Sequence, residues 1–248
     1  MPKYMRAFDT HEAYELWTAS EQYVTPSIAG CVNENEVHYN PVVLKYVDLG
    51  LPSGTLWATE NLKDANGNEL YFAWGETVGY TADQVGTGKN FSWSDYKYGT
   101  SSSNLTKYNS TDGKTVLEPT DDAATVLWGD NWCMPTKEQF QELIDNTTAI
   151  WTQVDGINGM LLTSNYNGNT LFFSCNGHAA DSTIDTSLSI YWCLSIEVNQ
   201  SPNGASQMNI YKDENIEDMS TFWIDRYIGC SVRPVHISGS APISEPAR

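Results

Sequence analysis

Residues 159–177 read GMLLTSNYNGNTLFFSCNG. Two alternating runs flank Asn167-Gly168, a pair that reaches positive φ at little cost and closes tight antiparallel turns. The stretch predicts a β-hairpin. Upstream, Thr136 opens T-x-x-Q with Gln139, a capping box, and Phe140, Leu143 and Ile144 then share one helical face that belongs in a core. A second helix is predicted over DDAATVLW (121–128), with Thr120 as its cap and the aspartates at the positive end of its dipole. On the far side, SIYWCLSI (189–196), SQMNIYKD (206–213) and GCSVRPV (229–235) read as short strands separated by loops. Nearer the N-terminus, YVDLGLPSGTLWATENL (46–62) gives two strands about a Pro-Ser-Gly turn, and NELYFAWGET (68–77) gives an apolar run closed by Gly75. Residues 79–116 read as long ordered loops anchored by Phe91, Trp93, Tyr96, Tyr98 and Tyr108. Few helices, many short strands and much irregular backbone make an α+β domain with small antiparallel sheets.

The chain has 248 residues, enough for one large domain with a small appendage. Residues 1–41 read as a separate docking or linking module: Asp9 and Glu12 fit a capping box before a short helix carrying Ala13, Leu16 and Trp17. Residues 42–236 form the main domain, and the Ser/Pro/Gly-rich 237–248 read as a flexible tail. Asp and Glu number 31 against 13 Lys and Arg, a net charge of −18. Nucleic-acid backbones and anionic membranes would be repelled, so neither is an expected partner. The N-terminus lacks the apolar core of a secretory signal, and membrane insertion is not expected.

Chemical motifs are thin. The five cysteines (31, 133, 175, 193 and 230) are widely spaced, with no C-x-x-C, and read as free thiols, a Cys193–Cys230 bridge being the alternative. The four histidines are far apart, and no nucleophile elbow, P-loop or H-E-x-x-H occurs. The run DENIED (213–218) offers oxygen ligands of the kind calcium takes, but lacks the EF-hand pattern and its glycine, and reads as a solvated acidic loop. No cofactor and no catalytic activity are expected. The remaining puzzle is STFWIDRYIGCSVRPV (220–235), which sets Phe222, Trp223, Ile224 and a thiol in what reads as a loop. The alternation of Phe222 with Ile224 also fits a half-buried strand.

Four segments in order, VDLGLPSGTLWATEN (47–61), YFAWGET (71–77), LEPTDDAATVLWGDNWCMPTKEQFQELID (117–145) and RYIGCSVRPV (226–235), resemble the Fibrobacter succinogenes major paralogous domain family. The resemblance covers roughly residues 45–236. It implies a C-type lectin fold on the branch of the formylglycine-generating enzymes, whose reactive cysteine arrangement is not found here. Some family members are variable proteins of diversity-generating retroelements, in which adenine-directed mutagenesis rewrites Asn codons near the gene's 3′ end. Relatives keep the frame of Tyr191-Trp192 and of Arg226, Gly229 and Ser231 to Val235, and vary between.

Carried onto this chain, the resemblance implies ligand-facing variable positions at Ser189, Ile190, Cys193, Leu194, Ile196, Asn209, Tyr211, Thr221, Phe222, Ile224, Asp225, Tyr227, Ile228 and Cys230. Trp223 and Met219 cannot be reached from an Asn codon and read as scaffold or as differently coded positions; Trp192, Arg233 and Pro234 are assigned to scaffold. The implied protein binds a ligand without catalysis, as the receptor-binding part of a phage tail contacting a protein or glycan on a bacterial surface. Residues 1–41 would dock on a tail or baseplate protein, a homotrimer would suit a tail tip, and the protein would reside in the virion after synthesis in the host cytoplasm. A bacterial cell-surface adhesin of the same fold is the alternative; an enzyme of the formylglycine-generating type is a more distant one.

Overall fold

The computed structural model describes residues 21–24, 44–197, 201–212 and 217–236. The helix expected at Asp9–Trp17 and the tail from residue 237 lie outside the described residues, as do residues 213–216 of the acidic loop.

In chain order the strands are β1 (Glu21–Val24), β2 (Leu44–Asp48), β3 (Leu56–Ala58), β4 (Trp132–Cys133), β5 (Thr147–Val154), β6 (Ile157–Ser164), β7 (Thr170–Ser174), β8 (His178–Ala180), β9 (Thr183–Asp185), β10 (Leu188–Glu197), β11 (Ser201–Lys212), β12 (Glu217–Asp225) and β13 (Val235–His236). Helices α1 (Ala123–Trp128) and α2 (Lys137–Asp145) lie on either side of β4. The strands form one sheet in the order β1-β2-β3-β13-β4, two three-stranded sheets, β5-β6-β7 and β10-β11-β12, and the pair β8-β9. Every named pair is antiparallel. The architecture is mixed α+β.

The hairpin at Asn167-Gly168 forms as β6 and β7, with Gly168 at φ 78°. Residues 147–154, for which no element was expected, are strand β5. Asp155 at φ 51° and Gly156 at φ 82° close a two-residue turn onto β6, with Val154 opposite Ile157. This Asp-Gly pair carries the same signal as Asn-Gly. Helix α2 starts as expected: Thr136 Oγ1 accepts from Gln139 N at 3.2 Å, and Gln139 Oε1 accepts from Thr136 N at 2.8 Å. Phe140 and Leu143 are buried, and Ile144 packs beside them.

Helix α1 corrects its expected cap. Asp122, not Thr120, is the N-cap, accepting from Ala124 N at 2.8 Å and Met134 N at 2.9 Å. Residues Pro119–Asp121 form a 3-10 turn before it. Asp121 is not a dipole charge but the hub of the long loops. Its carboxylate accepts from Tyr98 OH (2.5 Å), Tyr108 OH (2.7 Å), Lys107 Nζ (2.5 Å) and Lys97 Nζ (3.3 Å). Burial pushes this carboxyl up, but the Lys107 ammonium and the two phenol donors outweigh it and hold it well below the usual carboxylate range. Phe91, Tyr96, Tyr98 and Tyr108 are buried as expected, so the 79–116 loops are packed against the core.

Within the first 41 residues, β1 pairs with β2 from Glu21↔Val47 to Val24↔Leu44. At the other end, only the last residue of GCSVRPV and the one following it form a strand, β13, between β3 and β4. The preceding Cys230 and Ser231 make single bridges to Phe72 and Tyr191.

The sheet β10-β11-β12 lies between two hydrophobic clusters. Tyr191, Cys193, Met208 and Ile210 face Phe140, Leu143 and Phe173; Ile190, Trp192 and Ala205 face Trp74, Phe72 and Tyr108. Successive side chains on a strand point to opposite faces. Where both faces are covered, every residue is buried, which is why Ser189 to Cys193 form an unbroken buried run. Two indoles brace this arrangement: Trp74 Nε1 donates to Cys193 O at 2.9 Å, and Trp192 Nε1 to Phe72 O at 2.7 Å.

Arg233 locks the C-terminal segment from inside. Its guanidinium lies 4.5 Å over the Phe173 ring and donates to Asn61 Oδ1 (2.7 Å), Ala58 O (3.2 Å) and Phe172 O (3.1 Å). The scaffold roles of Arg233, Pro234 and Trp192 fit this burial.

Candidate functional site

The fourteen positions implied as ligand-facing separate into two groups. Ser189, Ile190, Cys193, Ile196, Ile228 and Cys230 are buried, and this corrects their assignment to a contact surface. The reason is the double-sided packing of β10 and the tucking of residues 228–230 under the loops. Ser189 Oγ accepts from Gly177 N at 2.7 Å. Cys230 exchanges both backbone bonds with Phe72, at 2.9 Å each. Its thiol and that of Cys193 are buried and unlinked, so the alternative bridge does not form. Burial raises both thiols well above their ordinary value. Cys133 is pushed up to about 12 by burial and then by Asp122. A nucleophilic cysteine needs the opposite shift.

The second group reaches solvent: Leu194, Asn209, Tyr211, Thr221, Phe222, Ile224, Asp225 and Tyr227. Five of these, Thr221, Phe222, Ile224, Asp225 and Tyr227, lie in a row along β12 and the turn that follows it. Phe222 is the most open, at 57% exposure. Its ring stacks on that of Trp223, with centroids 5.9 Å apart and planes at 12°. Thr221 Oγ1 donates to Gln141 Oε1 on α2 at 3.2 Å, which ties the strand to the helix. Asp225 accepts from Asn203 Nδ2 at 2.8 Å, and burial raises its carboxyl above the usual range. Tyr227 meets Trp93 edge-on at 5.0 Å. The apolar 220–225 run is therefore a strand, with Phe222 on an edge that the main cores do not enclose.

Leu194 is not part of that row. It sits on β10, its backbone N donating to Pro135 O at 2.8 Å and its side chain packed against the loop cluster. Asn209 accepts from Ser220 Oγ at 3.2 Å, and Tyr211 lies near the far end of β11, opposite Asp218 and Leu188.

Trp93 and Trp223 adjoin these positions through ring contacts with Tyr227 and Phe222, although the resemblance implies neither. In the sequence Trp93 reads as a loop anchor, and Trp223 lies outside the set that an Asn codon reaches. Codon reach concerns mutability, not contact.

A separate cleft of about 1180 Å³ opens between residues 60–70, residues 77–84 and the end of α1. Val78, Leu127 and Trp128 give it an apolar wall, and Glu60, Lys63 and Asn66 a polar one. None of the fourteen positions lines it. Among the described residues, no group of three His, Cys, Asp or Glu side chains is placed to hold a metal ion. No helix of the described residues is long and apolar enough to cross a membrane.

Comparison with protein-family models, with curated proteins and with solved structures returns no match.

Proposed function

We propose that this chain is a binding protein of the C-type lectin type that presents β12 and the turn after it as a contact face, as a diversified receptor-binding protein of a phage tail would. The observation that carries the reading is Phe222: a large aromatic ring, 57% exposed and stacked on a second aromatic, on a strand that packed elements hold in place. An exposed aromatic ring stacked on a half-buried one, with polar groups along the same strand, suits a contact hot spot. Thr221, Ile224, Asp225 and Tyr227 lie along the same strand and the turn after it and differ in chemistry, so exchanging them would alter what is recognised while the doubly packed β10 preserves the frame. Trp192, Arg233 and Pro234 would be the constant scaffold. The ligand would be a protein or glycan on a bacterial surface, and several copies on one particle would multiply a modest single-site affinity.

The test has two parts. Fluorescently labelled protein is titrated against a panel of intact gut bacteria, and the strain that retains it is titrated again with Phe222→Ser. At least a tenfold loss of cell binding with unchanged thermal stability is expected; undiminished binding refutes the face. The diversification part is read from flanking DNA. A near-copy of the 3′ coding segment, differing at adenines beside a reverse transcriptase gene, is expected, and without it the reading reduces to a lectin-like binding domain.

A further inference from the structure

The sheet β5-β6-β7 has one buried face and one that reaches solvent. On the inner face Met160, Leu162, Leu171 and Phe173 are core. Side chains alternate along a strand, so the residues between these point the other way. The register sets them in rows across the three strands: Thr148↔Thr163↔Thr170, then Ile150↔Leu161↔Phe172. Val154 opposite Ile157 closes the face at its turn. Ile150 is 57% exposed, Val154 and Ile157 are also exposed, and Leu161 and Phe172 are half-buried. A Cβ on Gly159 would come within 2.6 Å of Phe172 Cζ, so the ring lies across that glycine and keeps the face flat.

The chain carries 31 acidic and 13 basic residues, yet this face carries none of either. Its outward positions are every second residue from 148 to 154, from 157 to 163 and from 170 to 172, and all are threonine, glycine or apolar. Apolar side chains exposed singly need no explanation. A contiguous uncharged set, held by a sheet whose other side is core, has the character of an interaction surface.

We propose that this face pairs two copies of the chain, sheet against sheet about a two-fold axis. Charge selects the occupant. At a net charge of −18 two copies repel over most of their surface, and carboxylates set against carboxylates are costly. Here two copies meet with no charge opposed. A cationic partner finds no carboxylate on this face, and a glycan finds no carboxylate or amide side chain to fix its hydroxyls. A row of Ile, Leu and Phe is complementary to itself, as a contact between identical patches requires. Strands about 4.8 Å apart and eight residues rising about 3.4 Å each give a footprint of roughly 400 Å² per copy. That is about half of what each partner of a standard complex buries, so a reversible pair is expected and not a permanent dimer. None of the fourteen ligand-facing positions lies on β5, β6 or β7, so pairing leaves β12 to its ligand and joins two contact faces in one particle. The inference goes beyond the contact-face reading and does not depend on it.

Sedimentation equilibrium of the whole protein, from about 5 to about 500 µM, tests the pairing. A reversible dimer is expected. Its association should tighten at least threefold between about 50 and about 500 mM sodium chloride, because salt screens the repulsion between copies and leaves an apolar contact intact. Ile150→Lys sets a charge in the apolar row and is expected to weaken pairing at least tenfold. Its Tm should stay within about 2 °C of the parent, since the side chain is already mostly in water. Thr148→Lys, exposed on the neighbouring row, is expected to do the same and decides the matter if Ile150→Lys folds poorly.

A protein that stays monomeric throughout that range, or whose mass settles at three copies, overturns the proposal. So does association that weakens with salt, or that survives the lysine substitutions at properly folded positions. Association lost in Phe222→Ser but kept in Ile150→Lys places the contact between copies on β12 and overturns it as well. The contact-face reading fails separately, through undiminished cell binding by Phe222→Ser, whatever the state of pairing.

Discussion

Truncating Ile190 and Phe222 to alanine separates the two groups of positions that the sequence placed together. Ile190 retains 2% exposure on the face of β10 that meets the aromatic cluster of Trp74, Phe72 and Tyr108. Ile190→Ala removes three carbons, about 2.4 kcal/mol of transfer free energy at about 0.8 kcal/mol per methylene. It also leaves a cavity between rings held by indole hydrogen bonds, which collapse poorly, so the loss should lie in the upper part of the roughly 2–5 kcal/mol range for such truncations. Phe222 keeps more than half its surface in water, and Phe222→Ala should cost about 1 kcal/mol or less. In a domain of this size 1 kcal/mol moves Tm by about 2–4 °C. The expected shifts are therefore about 7–20 °C for Ile190→Ala and no more than about 4 °C for Phe222→Ala. Differential scanning calorimetry, checked by urea unfolding, measures both. Equal shifts, or a larger one for Phe222→Ala, would refute the division of these positions into core and face.

Further outcomes follow from the buried polar groups. Asp121 has a folded pKa below its unfolded value, so its stabilisation is full above about pH 4 and is lost as pH falls through the folded value; Asp121→Asn should lower Tm at pH 7 and flatten the fall of Tm between about pH 4 and pH 2, and an unchanged acid slope would show that the hub does not titrate with folding. Arg233→Met leaves Asn61 Oδ1 and three backbone carbonyls without this donor and should cost about 3–5 kcal/mol, read as a drop in urea midpoint. Cys193 and Cys230 should resist a thiol reagent in the native protein and react on unfolding; prompt native labelling of either, located by mass spectrometry, would contradict their burial. Gly156→Ala places a side chain at φ 82° in the turn joining β5 and β6 and should lower stability by about 1 kcal/mol or more, whereas Gly156→Asn should cost less.

Local chemistry was legible wherever a few neighbouring residues suffice to decide it. Thr136 and Gln139 marked the start of α2, and Asn167-Gly168 marked a hairpin, because caps and tight turns are settled by bonds within a handful of residues. Asp155-Gly156 carries an equal signal, for the turn that joins β5 to β6. Thr120 failed as a cap for a different reason. Three candidate oxygens stand in a row at 120–122, and what selects Asp122 is the amide of Met134, which arrives from beyond the helix. Asp121 was free to turn towards Lys107 and the tyrosines, a choice made by loops 13 to 24 residues away in the chain.

The sequence by itself determined the α+β class, the helix α2, two of the antiparallel turns, the aromatic anchoring of the long loops and the strongly acidic charge. Each depends on composition or on neighbours along the chain. Only the tertiary structure decided which of the positions around residues 189–230 meet solvent. The strand SIYWC shows why: an apolar run looks the same whether one face or both are covered, and here a helix packs one side and loops the other, burying Ile190 and Cys193 alike. FWI on β12 is equally apolar, yet it lies at the outer edge of the same sheet, so Phe222 remains open. Exposure belongs to the layers above and below a strand and to its place in the sheet order, and neither is written in the residues of the strand itself.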